Sequence, residues 1–157
     1  MVSETKQTDL DRRQLAPPTG LRDFWYPALL DSKVGRKPVS LRMLGEELCF
    51  FRDAQGNIAA IWDVCPHRGA SLSEGDCHFK GTVACPYHGW VYNIDGSLRA
   101  ARDMEMLEDF SSDNYGLKPV RLEVFQGLTF INCDPDAADF RGPLEKMTVQ
   151  LGAYDLA

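Results

Sequence analysis

The sequence predicts a mostly β protein, an antiparallel sandwich or small barrel followed by a short C-terminal helix. Three observations carry this prediction. Short runs of alternating apolar and polar residues recur along the chain, as strands with one buried face require. Turn-forming groups such as Asp53-Ala54-Gln55-Gly56-Asn57 and Asn93-Ile94-Asp95-Gly96 separate them at sandwich-like spacing. Only near the end does the period change, where Leu144, Met147, Leu151 and Tyr154 recur at three- and four-residue steps. At 157 residues the chain is about one domain, long enough for a core of its own.

The elements can be justified in order. Residues 1–20 are polar and end in Pro17-Pro18-Thr19-Gly20, the composition of a flexible arm. Phe24 to Leu30 is an aromatic patch too short for a helix, expected to pack that arm onto the sheet. Pro38 to Leu44 alternates, with Val39, Leu41 and Met43 on one face; Gly45-Glu46 turns, and Leu48-Cys49-Phe50-Phe51 returns. Ile58 to Trp62 forms the next strand. Ser71 to Asp76 opens an insert, and Thr82-Val83-Ala84 is a short strand. Trp90-Val91-Tyr92 leads into a hairpin turn at residues 93–96. Residues 101–114 read as a loop with a helical turn. Pro119 to Phe125, a turn at Gly127, and Leu128 to Cys133 complete the β region. From Pro143 to Ala157 the apolar spacing predicts a helix, with proline suited to its first turn. No internal repeat or low-complexity run interrupts this order.

Two loops carry the chemistry: Cys65-Pro66-His67-Arg68-Gly69-Ala70 and Cys85-Pro86-Tyr87-His88-Gly89-Trp90. The pattern is C-x-H, seventeen residues (68–84), then C-x2-H. Two thiolates and two imidazoles suit a [2Fe–2S] centre in which histidines replace cysteines on one iron. Each loop places proline after the cysteine and glycine after the histidine; proline fixes φ, while glycine permits turns that aim N–H groups at sulfur. The same donors arranged tetrahedrally would hold zinc, the minor alternative. Zinc ribbons and fingers, however, usually open with C-x2-4-C and keep both histidines together.

On these loops and their spacing, the chain resembles the Rieske [2Fe–2S] domain of ring-hydroxylating, non-haem iron oxygenase large subunits. The resemblance runs from about Leu21 to Asp136 and is sharpest from Asp63 to Tyr92. It implies a Rieske domain over 21–140, a cluster-binding subdomain of the two ligand loops over about 63–92, and a helical segment over 141–157. It implies further that Cys65 and Cys85 bind one iron and His67 and His88 the other. Arg68, Tyr87 and Trp90 flank the histidines as candidates for supporting or docking contacts. Respiratory Rieske proteins differ by an extra cysteine in each loop and a serine after the second His-Gly pair, positions held here by Ala70, Tyr87 and Trp90. Without that serine hydroxyl the reduction potential is expected low in the Rieske range, about −150 mV or a little above. Tyr92 stands where the respiratory proteins keep a tyrosine.

Composition narrows the reading. The net charge of −6 and a pI near 5.0 argue against nucleic acid or anionic membranes as partners. No run approaches the roughly 18 apolar residues of a spanning helix, and the N-terminus lacks a secretory h-region, so a cytoplasmic location is expected. Cys49, Cys77 and Cys133 read as ordinary thiols of a reducing compartment. An oxygenase also needs two histidines and a carboxylate for its mononuclear iron. Three histidines less the two ligands leave only His78. These residues can therefore carry an electron but cannot activate dioxygen. The expectation is an electron-input domain for a terminal oxygenase, fed by a reductase or ferredoxin and delivering to a catalytic domain or neighbouring subunit. The alternative is a free-standing Rieske-type ferredoxin, with a structural zinc domain third.

Overall fold

The computed structural model describes residues 21–104, 106–151 and 154; the arm expected over residues 1–20 lies outside them. Among the described residues the strands are β1 (Tyr26–Leu30), β2 (Val39–Met43), β3 (Glu46–Arg52), β4 (Ile58–Trp62), β5 (Thr82–Ala84), β6 (Val91–Asn93), β7 (Leu98–Ala100), β8 (Pro119–Phe125) and β9 (Leu128–Asn132). One helix, α1 (Arg141–Leu151), follows. A six-stranded sheet runs β1-β9-β8-β4-β3-β2, and a three-stranded sheet runs β5-β6-β7. All the pairings are antiparallel.

Alternation along β3 and β4 decides how the sheets assemble. Leu48 and Phe50 of β3, with Ile58 and Ala60 of β4, face one core together with Val34, Val120 and Ile131. Side chains from both edge strands, Ala28 of β1 and Leu41 of β2, pack on that core, so the larger sheet curls into a nearly closed barrel. Cys49, Phe51, Ala59 and Ile61 point the other way, into a second core with Leu72, Val83, Trp90 and Tyr92. β3 and β4 are thus a wall shared by the barrel and the smaller sheet. Phe50, Phe51, Leu48 and Ile61 are each fully buried, contributing about 1.5–3 kcal/mol apiece.

One hairpin departs from the sequence reading, and a second, at the expected Gly127, shares its geometry. The β2–β3 turn is Leu44-Gly45, with φ of 52° and 80°, not Gly45-Glu46. The β8–β9 turn is Gln126-Gly127, with φ of 47° and 73°. A two-residue loop with both φ values positive matches the twist of its flanking strands, so hairpin geometry overrides the preference of a leucine. The aromatic patch is partly a strand. β1 pairs with β9 at the sheet edge, where Pro27 is tolerated, and the Thr129 hydroxyl donates to the Leu29 carbonyl across a break in register. Trp25 packs against Phe140 and donates its indole N–H to the Ala138 carbonyl, fastening the chain just before α1.

The helix begins at Arg141, two residues earlier than the spacing indicated, with Leu144 N–H bonded to the Phe140 carbonyl at 2.9 Å. Pro143 falls within the first turn, where a missing N–H costs nothing. Leu144 and Met147 are half-buried, whereas Tyr154 lies beyond the helix and is 62% exposed.

Candidate metal centre

The two ligand loops leave adjacent ends of the second core and share one backbone frame. Cys65 N–H donates to the Ala70 carbonyl (2.9 Å), and Gly69 N–H returns to the Cys65 carbonyl (2.8 Å). Cys85 N–H donates to the Trp90 carbonyl (2.7 Å), and Gly89 N–H returns to the Cys85 carbonyl (3.0 Å). Gly69 and Gly89 adopt φ of 72° and 70° with open space around a would-be Cβ, so the backbone conformation rather than crowding selects glycine. The histidine occupies the third position of the first frame and the fourth of the second. Despite this offset, their ring centroids lie 4.5 Å apart.

Depth separates the donors. Cys65 and Cys85 are buried, 2% and 3% exposed, while both histidines are half-buried. Burial raises the Cys85 thiol above its ordinary range, and Cys65 beside it adds to this; backbone groups of Tyr87 and His88 hydrogen-bonded to Cys85 pull the other way. The Tyr92 hydroxyl sits 3.4 Å from the Cys65 sulfur, and burial, then Cys65, pushes the phenol upward. His67 is held below the usual imidazole range by desolvation, then by His88 and Arg68, which keeps the neutral form a metal requires.

Of the flanking candidates, Trp90 is placed most closely. It is 1% exposed and stacks on His67 with centroids 4.5 Å apart and planes 4° from parallel. Phe110 and Tyr115 brace it edge-on at 5.8 and 5.2 Å. Tyr87 lies against His88 at 3.9 Å and is 63% exposed; Arg68 is exposed at the loop tip. Beside the histidines opens a recess of about 730 Å³, lined in part by Glu74, Asp76, His78 and Arg102. His78 is 69% exposed there, 3.7 Å from Asp76.

The donor set fits a two-metal cluster. His67 Nδ1 is buried without a hydrogen-bond partner, an arrangement that costs free energy unless something binds it. The cysteines form a deep pair and the histidines a shallow pair. Sequence reasoning did not find Asp63, a buried carboxylate two residues before Cys65. Its only sequence signal is an acidic residue at the end of an apolar strand. The remaining cysteines are free thiols, Cys49 buried and Cys77 and Cys133 half-buried. Burial, then Asp63 and Cys77, drives the Cys49 thiol upward.

Comparison with known proteins agrees with this geometry. Residues 24–111 match the family model of the Rieske [2Fe-2S] domain. The chain is 40% identical over 106 residues to a carnitine monooxygenase oxygenase subunit of Escherichia coli (strain K12), covering 68% of this chain and 28% of that protein. It is 37% identical to the terminal oxygenase component of carbazole 1,9a-dioxygenase from a Sphingomonas species, covering 71% and 30%. Among solved structures, the terminal oxygenase of carbazole 1,9a-dioxygenase from Novosphingobium sp. KA1 superposes with a TM-score of 0.70 at 32% identity, covering 80% of this chain and 34% of that one. A quaternary ammonium Rieske monooxygenase with L-carnitine bound gives 0.69 at 30%, covering 82% and 37%. The chain thus spans under a third of the length of these curated relatives.

Proposed function

Because the chain belongs to the Rieske [2Fe-2S] domain family, we propose that it relays single electrons, Cys65 and Cys85 binding one iron and His67 and His88 the other. When bound, the cluster supplies a one-electron couple whose potential depends on hydrogen bonds to sulfur and on burial. The buried thiols bind as thiolates and give up their protons, so loading weakens as pH falls. Backbone groups near Cys85 and the Tyr92 hydroxyl near Cys65 stabilise the more negative, reduced state. The half-buried imidazoles, lying above the cysteines, form the short path between the site and a docked protein. Trp90 holds the plane of His67, and exposed Arg68 and Tyr87 meet the partner.

The observation that carries this reading is the orphaned Nδ1 of His67 beside His88, above two buried cysteines. A reductase or ferredoxin is the donor, and the mononuclear iron of an oxygenase catalytic domain or neighbouring subunit is the acceptor. His78 alone cannot build that second iron site. The matched relatives are oxygenase subunits, which favours this reading over a free-standing ferredoxin.

An anaerobic dithionite titration of the iron-loaded protein tests the proposal. One electron per two irons should bleach the visible spectrum, and Cys85→Ala should abolish the Rieske chromophore. A colourless protein that takes up one zinc and no electrons would refute it.

A further inference from the structure

One buried charge near the site has no role in the reading above. Asp63 follows β4 directly and is 3% exposed. One carboxylate oxygen accepts the Ser73 N–H at 2.7 Å. The other accepts the hydroxyls of Ser73 at 2.5 Å and Ser40 at 3.1 Å. Its own N–H donates to the Glu47 carbonyl at 2.8 Å. These donors are all neutral, and no Lys, Arg or His among the described residues forms a salt bridge with it.

Two consequences follow from that geometry. Residues 63 and 73 bracket the whole first ligand loop, so the bonds to Ser73 close it as a clasp closes a ring. A carboxylate away from water is normally paired with a cation, and here its field is offset only by hydrogen-bond dipoles. Two residues of chain span at most about 7 Å, so the backbone of Asp63 lies within that distance of Cys65. A negative charge on the residue two before the ligand opposes the arrival of an electron.

We propose that Asp63 is a positioning residue that closes the first ligand loop and, through its charge, holds the reduction potential of the site low. The inference rests on the cluster assignment made under Proposed function. The Asp63→Asn variant separates the two effects. Its amide oxygen can still accept the Ser73 N–H, and its NH2 group can donate to the serine oxygens, so shape and bonds remain while the charge goes.

The test is a spectroelectrochemical titration of the iron-loaded protein and this variant, with electron paramagnetic resonance on both. The expected result is native g-values with the reduction equilibrium constant raised about tenfold, a positive shift of about 59 mV for a one-electron couple. Asp63→Ala, which loses the clasp as well, should release iron to a chelator severalfold faster than the parent. An unmoved midpoint in Asp63→Asn would overturn the proposal. If that variant does not load iron, Ser73→Ala reads the same field: losing one donor exposes more of the charge, so its midpoint should fall. An unmoved midpoint there overturns the proposal equally. A parent protein without a Rieske signal would instead sink the cluster assignment, and the two failures are distinguishable.

Discussion

Tyr92 and Trp90 lie two residues apart and act on different donors. Tyr92 puts its hydroxyl 3.4 Å from the Cys65 sulfur, and once that sulfur is a thiolate the phenol is the donor. A hydrogen bond to sulfur stabilises the reduced state, so Tyr92→Phe should lower the midpoint potential. At about 0.5–1.5 kcal/mol for one such bond the expected drop is roughly 20–60 mV, read by redox titration. An unchanged or higher midpoint would show that the hydroxyl does not serve the cluster. Trp90 takes the place of the serine in respiratory Rieske proteins and offers a flat face to His67 instead of a hydroxyl. Of the two hydroxyl contacts in the respiratory proteins, this chain keeps the tyrosine and lacks the serine. The missing serine favours a potential in the lower part of the Rieske range, whereas the Tyr92 hydroxyl acts in the opposite direction.

At the scale of elements, two junctions position the loops and their hairpins. A Cβ at Gly75 would stand 1.9 Å from the Ala84 carbonyl oxygen, a contact no side-chain movement can relieve. There the insert runs against β5, with Ala84 N–H bonded to the Asp76 carbonyl at 2.8 Å, one residue before Cys85. Gly75→Ala should cost about 3 kcal/mol, lowering Tm by roughly 6–12 °C in calorimetry, and should speed iron loss. Gln126 is the converse case. It holds φ of 47° and leaves its buried Oε1 without a partner, so Gln126→Asn supplies the favoured Asn-Gly hairpin pair. A gain of about 1 kcal/mol, or roughly 2–4 °C in Tm, is expected; a lower Tm would contradict this account of the turn. These junctions also mark how far the sequence could be read. β3, β4 and β9 were legible because their apolar runs reflect real burial, and β8 because its polar and apolar residues alternate. Leu44 was not, since nothing in a leucine announces positive φ and the hairpin imposes it. β1 was hidden by Pro27 and an aromatic run, and becomes a strand only because β9 is there to pair with it. The four candidate ligands were legible from residue type and spacing. Asp63 was not, because an isolated acidic residue beside a loop reads as solvated until the fold buries it.

For the molecule as a whole, the two cores share a wall but divide the labour. The core around Leu48, Phe50 and Ile131 contains no candidate ligand, whereas Cys65 and Cys85 are members of the other. Stripping the metal should therefore loosen the loop end while the barrel persists. Hydrogen exchange on metal-free protein should show lost protection at residues 63–92 and retained protection in β3, β8 and β9; uniform loss would show that the domain folds as one unit with its metal. The central claim concerns which atoms hold the irons. The most direct test is electron paramagnetic resonance of the dithionite-reduced protein with nitrogen couplings resolved, and iron and zinc assayed on the same sample. The account predicts a rhombic signal with average g of about 1.9, two irons per chain and couplings from two imidazoles, and loss of the native Rieske signal in His67→Ala. A silent spectrum with one zinc per chain, or a cluster signal without nitrogen couplings, would contradict it.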